Sequence, residues 1–258
     1  MAILHKFSVA FRAMTAKQHL IYWIMPLIFI FCLSLAYFSG PGWIQDLIAP
    51  PINREFGLLE NIQNILLVSI LLTCFVLFIK ENRSLVKTIF LVCVLGSTFM
   101  LLEEIDYGYH YINYVNGIAT GDDPVVHNLH NQEKHVNNNL MKICYIFLGL
   151  FFVIFPYLER DKLPAWLQRL VPSPRLQFSV FVLLLISRFP FLLNKGNFTT
   201  NGALYDNLTE FEEVSIYYLF LLYFIELYKK QRLKVRHADQ TLYYAESFQM
   251  TEQYSKQD

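Results

Sequence analysis

Charged side chains are scarce in this 258-residue sequence. Asp, Glu, Lys and Arg make up 16% of it, against about 25% in an ordinary soluble domain. There is also no excess of either sign, because 21 basic and 21 acidic residues cancel. The sequence therefore lacks the basic surface with which proteins bind nucleic acid. Hydrophobic residues make up 55% of the chain and lie in long runs. This pattern predicts an all-α, polytopic membrane protein whose partners are membrane lipids; it identifies no protein partner.

Cysteine is also rare and is not arranged for cross-linking. The sequence has four cysteines, none in a C-x-x-C spacing, and each falls inside an apolar run: Cys32, Cys74, Cys93 and Cys144. A disulfide framework needs spaced cysteines in polar loops, so this arrangement excludes one. The sequence predicts buried thiols instead.

Six apolar runs predict about six transmembrane helices, at roughly 20–38, 58–79, 85–102, 138–158, 176–193 and 208–228. The first run is long enough to cross a bilayer at 1.5 Å per residue. A secretory signal peptide is the alternative, but its apolar region would be about 7–15 residues long and followed by a small-residue cleavage site. No clean site follows this run, so we predict a retained helix.

The polar segments define the remaining organisation. Residues 1–19 are basic and amphipathic, which suits either an interfacial helix or a positively charged flank. Residues 20–236 form the predicted transmembrane domain. Residues 237–258 are polar and predicted to be a disordered cytoplasmic tail.

The distribution of Lys and Arg predicts the orientation of the helices. These residues are frequent in segments 1–19, 80–87, 159–175 and 229–236. They are sparse in segments 39–57, 103–138 and 194–207. The two sets alternate along the chain as a six-helix topology requires. By the positive-inside rule, both termini are cytoplasmic and 106–138 is an extracytoplasmic loop.

This orientation places nine ionisable residues from three helices and one loop near the extracytoplasmic end of the membrane: Glu60, Glu103, Glu104, Asp106, His110, His127, His130, Glu210 and Glu213. Charged groups cost roughly 2.5–3.5 kcal/mol each at mid-bilayer on insertion scales, so they need partners or a purpose. The helical register of the third run is predicted to continue to about Tyr114, and Gly117, Gly121 and Pro124 then break it. Helical spacing puts Glu103, Asp106 and His110 on one face, and Glu210 and Glu213, with Tyr217 one turn on, on another. We expect these side chains to meet in one pocket.

Carboxylate and imidazole groups are ligands for Zn, Mn or Fe. We therefore predict that Glu103, Glu104, His130 and Glu213 bind a divalent metal. Glu104 or Glu210 would then act as the catalytic base. A divalent cation would also relieve the repulsion within such an acidic cluster. Neither an H-E-x-x-H motif nor a helical Glu-x-x-His motif is present to identify the metal.

Structural explanations compete with this interpretation. Arg188, inside the fifth run, could pair with Glu103 or Glu104 as a structural ion pair. Glutamates at the start of the sixth run could complement the helix dipole, and His127 and His130 could cap loop backbone groups. The tyrosines that follow Glu104 fit an aromatic belt better than a catalytic role.

The motifs in this region resemble a group of bacterial multi-pass membrane proteins. The matching segments are Arg54-Glu55-Phe56-Gly57 with Glu60, Glu103-Glu104-Ile105-Asp106-Tyr107-Gly108, Asn128-Leu129-His130-Asn131, and Glu210 with Glu213. Asp106 stands where that group has Ser, Tyr109 where it has Gln, and its Asn-x-Gln-x-Glu run is absent. The resemblance spans roughly residues 54–215. It implies a bacterial inner-membrane protein and supports the site residues, but it implies no reaction.

Three functions fit these observations. The first is a metal-dependent hydrolase or transferase acting on a lipid or envelope substrate. The second is a non-catalytic ion- or proton-coupled carrier, or an accessory subunit of a membrane complex. The third is a structural membrane protein in which the polar cluster clasps helices together.

Overall fold

The computed structural model describes residues 8–9, 11–50, 56–117, 143, 145–155, 162–195 and 208–255. These residues form helices and turns and include no β-strand, so the expected all-α class is confirmed. In chain order the helices are α1 (Ala16–Ser39), α2 (Gly42–Ile48), α3 (Leu58–Lys80), α4 (Ser84–Glu104), α5 (Tyr109–Val115), α6 (Tyr145–Ile154), α7 (Ala165–Leu170), α8 (Pro174–Ser187), α9 (Phe189–Lys195) and α10 (Thr209–Ser255).

Within the described residues, three helices are long and apolar enough to cross a membrane. They are α1 with 24 residues, α3 with 23 and α4 with 21. Each covers one of the first three predicted runs, so the chain is a membrane protein. The fourth run contributes the shorter apolar helix α6.

Helix α1 begins four residues before the predicted position because its first turn is capped. The Thr15 hydroxyl accepts a hydrogen bond from the Gln18 backbone N–H at 3.3 Å, and the Gln18 side chain accepts one from the Thr15 N–H at 2.9 Å. This capping box satisfies two of the N–H groups that a helix start leaves unpaired. A π-helical turn, Leu20–Ile24, follows shortly before Pro26, which has no N–H to donate.

The prediction of a helix continuing from α4 to about Tyr114 is wrong. Helix α4 ends at Glu104, and the backbone then has positive φ at Asp106 (47°), Tyr107 (51°) and Gly108 (88°). Left-handed conformation interrupts the helical register, so the residues on either side of this turn no longer share one face. At a tyrosine such a conformation costs on the order of 1–3 kcal/mol. The predicted break at Gly117 is present, with φ of 72°.

The fifth run is interrupted where Arg188 and Pro190 predict a break, and the sixth run continues beyond its predicted end. The fifth run is divided between α8 and α9 at Arg188, because Pro190 has no N–H to continue the hydrogen-bond ladder. The sixth run lies in α10, which continues to Ser255 through most of the segment predicted to be disordered. The residues after Tyr228 include many strong helix formers, chiefly Lys, Gln, Arg, Leu, Ala and Glu.

Helices α3 and α10 run parallel along a shared seam. At one end Gln63 bonds Glu210, and at the other Leu77 and Leu227 line the same small cavity. The α3 side of the seam is buried and repeats with alternating steps of three and four residues: Glu60, Gln63, Leu67, Ile70, Cys74, Leu77 and Glu81. This spacing is that of a coiled-coil face, here polar at both ends and apolar between them.

Three helices run antiparallel to α10. The C-terminal end of α4 meets Tyr217 through Glu104. In α1, Tyr22 contacts Glu226, whereas Ile30, a later residue of that helix, packs in one cluster with Val214. Helix α8 starts beside Glu226 and ends where Arg188 meets Glu212.

Helix α6 runs antiparallel to α8 and therefore parallel to α10. The Gln177 amide donates to the Val153 carbonyl at 2.6 Å, and Arg188 lies over the Tyr145 ring at 5.7 Å. Helices α1, α3, α4, α6, α8 and α10 thus alternate in direction along the chain.

A polar network fixes the end of the bundle where α10 passes Glu226. The Tyr22 hydroxyl donates to Glu226 Oε1 at 2.5 Å, and the Ser173 hydroxyl donates to the same oxygen at 2.8 Å. The Ser179 hydroxyl donates to the Tyr22 carbonyl at 2.7 Å. These bonds connect α1, α8 and α10 at one level of the bundle.

Substituting Tyr22→Phe should lower the free energy of unfolding by about 1–3 kcal/mol, because a buried carboxylate loses one of its two donors. Thermal unfolding of the purified protein in detergent measures this. Tyr111→Phe is the matched control, because Tyr111 is exposed and keeps its ring contact with Phe56. Equal unfolding temperatures for the two variants would contradict the assigned role of the network.

Candidate functional site

Four glutamates from three helices meet where α3 and α10 begin and α4 ends. The Glu213 side chain hydrogen-bonds that of Glu210 and interacts electrostatically with Glu104 and Glu60. We call Glu60, Glu104, Glu210 and Glu213 the glutamate cluster. The structure thus brings together four of the residues that the sequence singled out, across up to 153 positions of the chain.

The amide of Gln63 lies inside the cluster. Its Nε2 donates to Glu210 Oε2 at 2.7 Å and to the Glu210 carbonyl at 3.2 Å. The residue is fully buried, and its Oε1 atom has no hydrogen-bond partner among the described residues. Gln63 is not among the residues that the sequence singles out, although its position three residues after Glu60 places the two on one helical face.

Tyr217 closes the cluster on the side of α4. Its hydroxyl donates to Glu104 Oε1 at 2.6 Å, and it interacts electrostatically with Glu210 and Glu213. Glu210, Glu213 and Tyr217 follow the i, i+3, i+7 spacing that the sequence indicated. This hydrogen bond joins α4 to the α3–α10 seam.

Two helix N-termini favour negative charge here. Helix α3 begins at Leu58 and α10 at Thr209, and Glu60 and Glu210 lie in their first turns. The positive end of a helix dipole stabilises a nearby carboxylate by about 0.3–1 kcal/mol when exposed, and by more when partly buried. The dipole explanation offered by the sequence is therefore compatible with a binding site.

The pairing of Glu210 with Glu213 determines what the cluster does chemically. Two carboxyl groups form a hydrogen bond only when a proton lies between them, and two carboxylates approach closely only with a cation between them. The unpartnered Gln63 oxygen adds another acceptor at the same place. The arrangement is therefore suited to binding a proton or an oxygen-coordinated cation.

Glu103 and Asp106 have separate surroundings. Glu103 is buried and accepts a hydrogen bond from the Tyr107 hydroxyl across the turn that follows α4. This hydrogen bond raises the pKa of the Tyr107 phenol, which lies outside the membrane-spanning helices. Asp106 is buried within that turn, so the helical face predicted for Glu103, Asp106 and His110 does not exist.

Arg188 pairs with a different carboxylate from the one expected. Its Nε lies 3.3 Å from Glu212 Oε1, and its guanidinium lies over the rings of Tyr145 and Phe191. The expected pairing with Glu103 or Glu104 is therefore wrong. Glu212 directs its side chain towards α8, whereas Glu210 faces α3, because neighbouring positions of a helix point in different directions.

The histidines of the predicted site lie at or beyond the limit of the description. His127 and His130 fall outside the described residues, and His110 is described by its backbone position in α5 alone. In the part of the chain that the structure describes, no group of three or more His, Cys, Asp or Glu side chains is arranged to hold a metal ion. The metal set that includes His130 stays a prediction.

Substituting Gln63→Met should lower the free energy of unfolding by about 1.5–3 kcal/mol, because buried Glu210 loses a donor to its carboxylate. Gln168→Met is the matched control, since the Gln168 amide bonds a backbone carbonyl at an exposed position and should change stability by less than about 0.5 kcal/mol. Chemical or thermal unfolding of both variants provides the comparison. A Gln63→Met protein as stable as the control would remove Gln63 from the assigned site.

No known protein family, curated protein or solved structure matches this chain. The resemblance to bacterial multi-pass membrane proteins therefore stays a prediction. Of its motif residues, Glu60, Glu104, Glu210 and Glu213 form the cluster, and the segment 128–131 lies outside the described residues.

Proposed function

We propose that this chain is an integral membrane enzyme that hydrolyses or transfers a group on a lipid or envelope substrate. The glutamate cluster supplies its acid–base chemistry, together with a divalent cation held by the cluster and His130. One observation carries the proposal: a hydrogen-bonded carboxyl pair, Glu210 and Glu213, lies beside the unpartnered amide oxygen of Gln63 inside a membrane bundle. Buried ionisable groups in a membrane are costly, and they generally mark functional sites.

The direction of the helices supports the six-span topology. Because α3 and α10 are parallel, an odd number of crossings separates them, and α4 is one. The segments containing α6 and α8 run in opposite directions, so two further crossings fit the count. Together with the positive-inside rule, this supports cytoplasmic termini and an extracytoplasmic cluster. The proposal of a bacterial inner-membrane protein rests on the motif resemblance.

The ligands available define the cation. Carboxylate and amide oxygens suit Mn²⁺ better than Zn²⁺ or Fe²⁺, whereas an imidazole from His130 would suit all three. Glu104 and Glu213, with the predicted ligand His130, would hold the ion. A divalent ion bound there would supply Lewis-acid activation of water.

Glu210 is the residue best placed to act as the base. Gln63 donates one hydrogen bond to its carboxylate and one to its backbone carbonyl, and the Glu213 side chain hydrogen-bonds its carboxyl group. A base oriented in this way abstracts a proton only from a group within hydrogen-bond reach. Tyr217 would hold Glu104 in place from the other side.

Removing one predicted ligand tests whether the cluster binds a divalent cation. Wild-type protein purified in detergent with Mn²⁺ should retain about one equivalent after desalting. Glu213→Gln should retain about tenfold less, because the amide carries no charge. Glu212→Gln is the control, as its carboxylate pairs with Arg188 outside the cluster. Less than about a tenth of an equivalent of Mn, Zn or Fe in the wild type would exclude the metal-dependent reaction.

A proton-coupled carrier is the second candidate, favoured by the hydrogen-bonded carboxyl pair of Glu210 and Glu213 together with a further buried acid, Glu226, on the same helix towards the opposite end of the bundle. Carboxylate relays of this kind occur in pumps and transporters. Proteoliposomes with an imposed pH gradient would show proton flux that Glu210→Gln abolishes and Glu212→Gln keeps. Flux equal to that of empty liposomes would exclude this candidate.

A further inference from the structure

An apolar cavity of about 310 Å³ lies between α1, α3, α8 and α10. We propose that it binds one acyl chain of a membrane phospholipid. The walls include Ile30 from α1, Leu66 from α3, Leu183 from α8 and Val214 from α10. None of its lining residues belongs to α4.

The two hydroxyl groups in the cavity wall form hydrogen bonds within the protein. Tyr218 donates to the Ile21 carbonyl at 2.7 Å, and Ser215 donates to the Phe211 carbonyl at 3.0 Å. With both donors engaged within the protein, the lining presents hydrocarbon surface to an occupant. A cavity of this kind excludes water and takes apolar ligands.

The position of the cavity in the membrane identifies the occupant. Two of its walls belong to α1 and α3, which are long and apolar enough to span a bilayer. Its α1 wall includes Met25 and Phe29, whose side chains are 47% and 39% exposed on the bundle surface. An opening at these residues faces lipid tails, so the surrounding bilayer itself supplies the acyl chain.

An empty cavity would be unfavourable at this size. Its lining atoms would lack dispersion partners on one side, and protein interiors otherwise have few voids larger than a water molecule. An acyl chain restores these contacts and has no polar group to desolvate. A single flexible hydrocarbon chain can follow the apolar wall residues Ile30, Leu66 and Val214 without placing a polar group against them.

The cavity adjoins the glutamate cluster. Ile62 precedes Gln63, and Val214 follows Glu213, so the two sites share the same turns of α3 and α10 on neighbouring faces. A phospholipid whose chain fills the cavity would have its ester groups near the cluster. Phospholipid is then the substrate class of the proposed enzyme. The lipid site is argued from the cavity alone, whereas a reaction on that lipid rests on the proposed function.

Photolabelling tests the cavity directly. The full-length protein would be reconstituted in phosphatidylethanolamine–phosphatidylglycerol vesicles with a trace of phosphatidylcholine carrying a diazirine at the end of one acyl chain. After irradiation, peptide mass spectrometry should find label at Ile30 and Val214, which line the cavity and are only 1% and 3% exposed. Label confined to exposed positions such as Leu72 would overturn the proposal.

Two variants distinguish cavity entry from surface labelling. Leu183→Trp fills the cavity and Met25→Trp blocks its opening, and each should reduce label at Val214 about tenfold without reducing label at Leu72. Met25 is exposed, so its substitution keeps the fold even if Leu183→Trp does not. Leu192→Trp, an exposed position on α9, is the control and should change neither. Unchanged label at Val214 in the Met25→Trp protein would refute the cavity as the route.

These experiments distinguish failure of the proposed reaction from failure of the proposed lipid site. In the Glu213→Gln protein, Val214 should be labelled as strongly as in the wild type, because the cluster and the cavity occupy different faces. Loss of Mn²⁺ binding with intact labelling would then exclude the metal-dependent reaction and keep the lipid site. If a free diazirine fatty acid labelled Val214 and the diazirine phosphatidylcholine did not, phospholipid would be excluded as the occupant.

Discussion

The hydrogen bond from Gln63 to Glu210 is the contact on which the rest of the bundle depends. It fixes the register between two parallel helices that are far apart in the sequence. Parallel helices place their N-termini, and so their positive dipole ends, at the same end of a bundle. The position of the glutamate cluster, the meeting of α4 with Tyr217 and the placement of the apolar cavity all follow from this register.

The seam between α3 and α10 is polar at both ends and apolar in the middle. Within a membrane, lipid tails are as apolar as leucine, so apolar packing alone does not select one register over another. Buried hydrogen bonds do, because a displaced register would leave carboxylates and amides without partners in hydrocarbon. The glutamate cluster at one end and the Tyr22–Glu226–Ser173 network at the other therefore specify the alignment of the helices as well as any chemistry.

The sequence predicts the membrane class and the meeting of distant acids because both depend on composition and on depth. Apolar run lengths and the Lys and Arg bias are enough to place Glu60, Glu104 and Glu210 near one level. Rotation about each helix axis is not set by depth, and for that reason the partner of Arg188 was mispredicted. Gln63 was missed because a single amide within an apolar run has no periodic signal of its own.

The turn after α4 shows another limit. Helical periodicity continues through Tyr107 in the sequence, but the left-handed backbone at Asp106 and Tyr107 depends on the surroundings of those residues. Conversely, local sequence did determine the capped start of α1 and the break at Gly117, where particular residue types satisfy particular backbone requirements.

The Tyr107 hydroxyl bonds Glu103 while the Tyr107 backbone is left-handed, so this hydrogen bond constrains the turn between α4 and α5. The direction in which the chain leaves the end of α4 is set by this turn. The segment that follows α5 therefore begins close to Glu104, which reduces the conformational search that its side chains need to contact the glutamate cluster.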